Sequence, residues 1–450
     1  MQLIQSCSLL TRLKGNAMKK VMVFWLMLFP QTAFTQSTFH GNIARTGVYE
    51  SSGPRQLNGL KWAFKAEGPI TASASIAEGI VFIGSLDNHL YAVDQQTGKQ
   101  KWKFKTGAPI ASSAAVIKGV VYFNGNDGVF YALNAETGTV KWRFFTERGE
   151  RRFEAKGLHG FQPPDQTIPD PFDMFTSSPA VFNGRVYFGS GDGNVYALDA
   201  ETGLLQWKFA TGDVVHASPA IANNAVYIGS WDSYLYALDA DTGVEKWRFK
   251  AGEDPVDHNQ VGFQSSAAVV DGTVYVGCRD AHVYAIDAAS GRKKWDYYTR
   301  KSWVNTTPAI RDGVVFAATV DTHLFHALDA KTGRLRFTLN VKLGMFSSPA
   351  VAGDLIYIGA INGRLYAIDA KSGTLAWEFQ TESSRKDPFT VLNPDGSRNA
   401  TGFGPVFYDF QDMYLRWSRN ISVGAIVSSP VVDRGAVYFG STDGYLYALK

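Results

Sequence analysis

The chain has 450 residues, 45% hydrophobic and 19% charged, enough apolar side chains to bury a sizeable core. Its formal net charge is only +3, and Arg12, Lys14, Lys19 and Lys20 crowd the N-terminus, so the remainder is close to neutral. That balance excludes a basic field for nucleic acid.

In chain order, residues 1–36 read as an export signal, starting at Met1 or at Met18. Met18, Lys19 and Lys20 form a basic n-region, Val21 to Phe29 an apolar run, and small residues near Ala33 offer a cleavage site. The run is too short to span a bilayer. The expected location is therefore periplasmic or extracellular, without a membrane span. No cysteine stands at the cleavage site, so no lipid anchor is expected there. Of Cys7 and Cys278, cleavage removes the first, and a single thiol forms no internal disulfide. Cys278 itself reads as a small buried residue.

A lead-in segment follows at 37–59, and from residue 60 the chain repeats itself. The phrase A-x-D-x-x-[TS]-G-x-x-x-W first appears as Ala92, Asp94, Thr97, Gly98 and Trp102. It recurs with a period near 40 residues, up to Ala367, Asp369, Ser372, Gly373 and Trp377. One copy ends in Phe337 instead of Trp. Each phrase follows two short runs, such as Ser177–Val181 and Arg185–Gly193, rich in β-branched and aromatic residues and cut by Asn, Asp and Gly. Four strands, A to D, per unit is the pattern of a propeller blade.

The final unit, from Ser428, has A, B and C strands but no D, while Leu60–Lys65 is a D strand with nothing before it. The predicted fold is therefore all-β: an eight-bladed β-propeller of four-stranded antiparallel blades, closed by its N-terminal strand. The recurring Asp, Thr and Gly predict a tight turn, and the recurring Trp a ring docked between blades. These are scaffold positions. The aspartates of the B–C loops, Asp87 and its counterparts, likewise read as turn caps.

The phrase resembles the tryptophan-containing repeat of the pyrroloquinoline quinone (PQQ) type propeller family, over Leu60 to Lys450. The lead-in His40–Tyr49 resembles the segment before the first blade in such proteins. The resemblance implies one of two functional branches: dehydrogenases that oxidise alcohols or sugars with PQQ and calcium, or an outer-membrane assembly lipoprotein without quinone. This chain lacks the adjacent cysteine pair common in the dehydrogenases, and no Glu, Asn and Asp trio for calcium is recognisable. It also lacks the anchoring cysteine of the assembly lipoprotein.

Function is expected where the repeat breaks. Insertions at 146–175, 252–263 and 381–425 all fall between a D strand and the next A strand, which places them on one face of the ring. On that face, His216 and His258 break the pattern and suit ligand, metal or acid–base roles. Trp231 and Trp303 are candidates to stack on a ring, with Gln264, Asn305 and Arg300 as polar contacts to a cofactor, and Asp254 and Asp257 as cation ligands. Three readings follow. The first is an exported propeller that binds a small molecule, glycan or protein across this face as a monomer. The second is a quinoprotein dehydrogenase with PQQ and calcium. The third is a carbohydrate lyase or hydrolase drawing on His159, His216 and His258.

Overall fold

The computed structural model describes residues 37–147, 152–154, 167–169, 176–252, 262–387, 390–403, 418–419 and 421–450. Asp254, Asp257, His258 and His159, with the export segment and much of the three insertions, lie outside the described residues.

Eight blades of four antiparallel strands form the ring, as the repeat predicts. In blade 1 the strands are Ser75–Ala77 (A), Ile80–Gly84 (B), His89–Asp94 (C) and Gln100–Lys105 (D). The inner B and C strands are apolar on both faces because blades cover them on either side. The D strand alternates between exposed and half-buried residues because it forms the outer edge. Blade 8 is completed by Leu60–Lys65, which pairs from Leu60 opposite Leu449 to Lys65 opposite Tyr445.

Each element of the repeated phrase has a contact that explains it. The Asp94 carboxylate accepts the Thr97 N–H at 2.8 Å and its hydroxyl at 2.7 Å, which folds the turn. Gly98 has φ +72°, and a Cβ there would meet the Trp62 ring of the preceding blade at 2.7 Å. The Trp62 indole N–H donates to Gln95 O at 3.0 Å, across the blade boundary. The phrase alanine lies opposite the tryptophan of its own blade, Ala92 facing Trp102, where a larger residue would crowd the indole. Blade 6 substitutes Phe337 and so has no indole N–H to donate, while Phe337 still packs in the apolar boundary with blade 7.

The A strands depart from expectation. They span three residues, Ala180–Phe182 instead of Ser177–Val181 in blade 3. The preceding Ser-Ser-Pro is not in the ladder: Pro179 has no N–H, and Ser178 N donates sideways to Ser218 Oγ of the next blade at 2.9 Å. The third insertion also holds two short helices, Glu382–Lys386 and Ala400–Phe403.

The lead-in segment is structured by the ring it precedes. Val48–Tyr49 pairs in parallel with Ala350–Ala352. Ile43, Ala44, Thr46 and Gly47 offer their carbonyls to the A-strand N–H groups of Ile221, Val269, Ile310 and Val351 at 2.7 to 2.9 Å. Arg45, fully buried, donates to Pro219 O, Ser178 O, Pro179 O, Phe39 O and Thr38 Oγ1. His40 bridges Arg45 O and Pro349 O. These contacts fall on the middle residues of the A strands and on the Ser-Pro carbonyls before them, so the segment crosses the central channel beneath the mouth. Further along, Pro54 O accepts the Trp377 indole N–H at 2.9 Å, standing in for the C–D turn that blade 8 lacks.

Candidate functional site at the channel mouth

The connections between D and A strands and the B–C loops share one face, as Ile110 N to Ser85 O at 3.0 Å and Thr106 N to Asn88 O at 2.9 Å show. Each blade sends one side chain to the channel mouth just before its A strand: Thr71, Ala111, Thr176, His216, Gln264, Asn305, Phe346 and Val427. Two residues deeper lies a ring of hydroxyls: Ser73, Ser113, Ser178, Ser218, Ser266, Thr307, Ser348 and Ser429. Phe39 of the lead-in segment lines the same cavity, whose volume, open mouth included, is about 540 Å³. Because the lead-in crosses the channel beneath the mouth, the cavity is a cup and not a pore.

The mouth is uneven. Phe346, Val427 and Ala111 make an apolar side, while His216, Gln264 and Asn305 make a polar one. Blades 4 to 6 add a stack of rings and charge. His216, buried, lies against Trp231 with ring centroids 5.1 Å apart and planes 26° apart. The Trp231 indole N–H donates to Gln264 Oε1 at 2.9 Å. The Arg279 guanidinium sits 4.4 Å from the Trp231 ring centre and 4.9 Å from that of Trp303.

The structure thus brings together His216, Trp231, Gln264, Trp303 and Asn305 at one quadrant. Arg300 is not among them: it is exposed on the loop after the blade 5 D strand, with φ +59°. Arg279, a B–C loop residue that the repeat phase also places on this face, joins the group. Its signal was a charge in the second B–C loop position, where Leu86 and Ile361 stand in other blades.

The other titratable groups of this face serve the frame. Asp87 Oδ2 accepts the Tyr91 hydroxyl at 2.8 Å and the Glu67 N–H at 2.9 Å, tying a B–C loop to the connection before it. Asp127 and Asp232 repeat the arrangement. His89 and His282 are half-buried and held by Asp87 and Asp280 rather than solvated. Burial works against charge on His282, yet the Asp280 carboxylate raises its pKa above the usual imidazole value. Cys278 is fully buried, and that burial pushes its thiol up.

The donor set at this mouth does not suit a quinone and calcium pair. Trp231 is only 8% exposed, with the His216 ring centroid 5.1 Å and the Arg279 guanidinium 4.4 Å from its ring centre, so it offers no open platform for a flat ring. The described residues lining the cup include no carboxylate, the ligand type calcium prefers. No group of three His, Cys, Asp or Glu among the described residues is placed to hold a metal ion. The described residues do not fit the pair.

Comparison with known proteins places the chain in its family. The family model described as outer membrane protein assembly factor BamB matches residues 55–158, 159–320 and 299–450. The outer membrane protein assembly factor BamB of Moranella endobia (strain PCIT) is 27% identical over 147 residues, 32% of this chain and 37% of that protein. A 1-butanol dehydrogenase (cytochrome c) of Thauera butanivorans is 28% identical over 99 residues, 20% of this chain and 14% of that one. The chain therefore matches less than half the length of either relative. The crystal structure of BamB from Moraxella catarrhalis superposes with a TM-score of 0.61 at 15% identity, covering 87% of this chain and 97% of that one, a likeness of fold. Among the described residues no helix is long and apolar enough to cross a membrane. The chain belongs to the PQQ-repeat propeller family whose model is described as outer membrane protein assembly factor BamB.

Proposed function

We propose that this chain is a binding propeller of the assembly-factor kind, engaging a protein partner across the mouth face, and that it performs no quinone chemistry. The observation that carries the reading is the burial of Trp231: an indole packed against His216 and Arg279 is a structural member of the face, not a cofactor platform. Half-buried Trp303 and exposed Arg300 on this face support a protein partner, since Trp and Arg are the residue types that anchor such contacts. The name of the matching family supports the same reading. Export belongs to it as well, supported by the basic and apolar pattern of Lys19 to Phe29.

The test is site-specific photo-crosslinking in the native cell. A crosslinker at exposed Arg300, on the mouth face, is expected to give one discrete protein adduct. A crosslinker at Leu204, 66% exposed in the C–D turn of blade 3, is expected to give none. Adducts from Leu204 alone would contradict the reading.

A further inference from the structure

The hydroxyl ring inside the cup holds hydrogen-bonding capacity that the fold does not use. Seven of its serines accept a backbone N–H from the neighbouring blade at 2.8 to 3.0 Å, including the closing bond from Ser429 N to Ser73 Oγ. A hydroxyl that accepts still has its own O–H to donate. Among the described residues none of these seven donates that hydrogen to the protein, and all seven line the cup. A second observation points the same way. Thr71, only 6% exposed and lining the cup two residues above Ser73, has a hydroxyl with no hydrogen-bond partner.

The electrostatics decide what such a set of donors would receive. Arg45 is 0% exposed, and its hydrogen bonds go to four carbonyls and one hydroxyl, with no carboxylate to balance its charge. One of those carbonyls, at 2.9 Å, belongs to Ser178, itself a member of the ring. No acidic side chain stands among the described residues of the cup. A cation there would meet an uncompensated guanidinium, whereas an anion would be drawn by it and met by converging O–H groups.

We propose that the cup is a binding site for a small tetrahedral oxyanion, of the phosphate or sulfate class, received by the ring hydroxyls and Thr71 in the field of Arg45. Several acceptor oxygens pointing in different directions match donors arranged around an axis, which a single-point halide does not. The site is separate from the protein-binding rim proposed above, since it lies within the channel and uses residues from every blade.

The experiment is calorimetric titration of the full chain with sodium phosphate and with sodium sulfate, ionic strength being held constant with sodium chloride. The expected result is saturable binding of one ion per chain. Thr71→Val keeps the shape and removes the hydroxyl, and is expected to weaken that binding about tenfold. Its melting temperature without phosphate should match the parent, because the hydroxyl has no protein partner to lose. Absence of saturable heat with both ions would overturn the proposal. So would undiminished affinity in Thr71→Val, or displacement of phosphate by glycerol as effectively as by sulfate.

Discussion

On the turn face, Asp94, Asp199 and Asp369 each accept the N–H and the hydroxyl of the Thr or Ser three residues on, at 2.7 to 2.8 Å. The mouth face follows no such rule: equivalent positions run through Thr71, His216, Asn305, Phe346 and Val427. The difference has a physical origin. A turn must meet the indole of the preceding blade, so the same residues recur wherever the same contact recurs. A mouth side chain projects into the cup, where the ring imposes no common partner, so it is open to specialisation. Repetition marks where blades hold one another, and variety marks where the frame leaves side chains free to specialise.

The strongest way to break that comparison is to open the ring. Deleting Leu60–Lys65 removes the whole D strand of blade 8 and the Trp62 bond to Gln95. Loss of the cooperative melt, followed by circular dichroism, is expected; an unchanged melting temperature would refute ring closure. Next in size, Arg45→Ala leaves five oxygen acceptors beneath the channel mouth without their donor. A loss of about 3 kcal/mol is expected in urea denaturation.

Acidification should act through two buried histidines. Burial lowers His40 to about 4, against the hydrogen bonds to the Arg45 and Pro349 carbonyls, which raise it. His326, which takes the place of the blade tyrosine in blade 6, is lowered to about 4 by burial and then by Arg300. Both imidazoles stay neutral in the folded ring, whereas the unfolded chain takes up protons below about 6.5. Each therefore contributes stability that is full above about pH 6.5 and lost as the pH falls towards 4, up to about 3 kcal/mol. His326→Phe should flatten that dependence between pH 6.5 and pH 4, and a slope equal to the parent's would show that His326 does not contribute. The smallest effect belongs to one repeated contact. Trp207→Phe removes the indole bond to Ala240 O at 3.0 Å and should cost about 1 kcal/mol, bringing blade 3 to the condition blade 6 already has with Phe337.

What the sequence discloses follows the same division. The period, the turn glycines and the unpaired D strand at Leu60 are local signals, and they suffice for eight blades and their closure. Phase along the A strands also suffices to bring His216, Gln264 and Asn305 to one mouth, since every blade enters the ring alike. Contacts between different blades are not written in any one repeat. Arg279 meets Trp231 and Trp303 only because B–C loops and D–A connections of adjacent blades converge. The path of the lead-in segment is hidden for a related reason: Ile43 to Gly47 have no strand periodicity, and the A strands of blades 4 to 7 supply their order. Pro54 in place of a missing turn is likewise visible only in three dimensions.

The central claim is that this ring keeps the family frame while its buried Trp231 leaves no seat for a quinone. Calorimetric titration of the chain with PQQ, with and without calcium, tests it most directly. The account predicts no saturable binding in either condition. Calcium-dependent binding of one PQQ per chain would contradict it, and would mean that Arg279 leaves Trp231 when the quinone arrives.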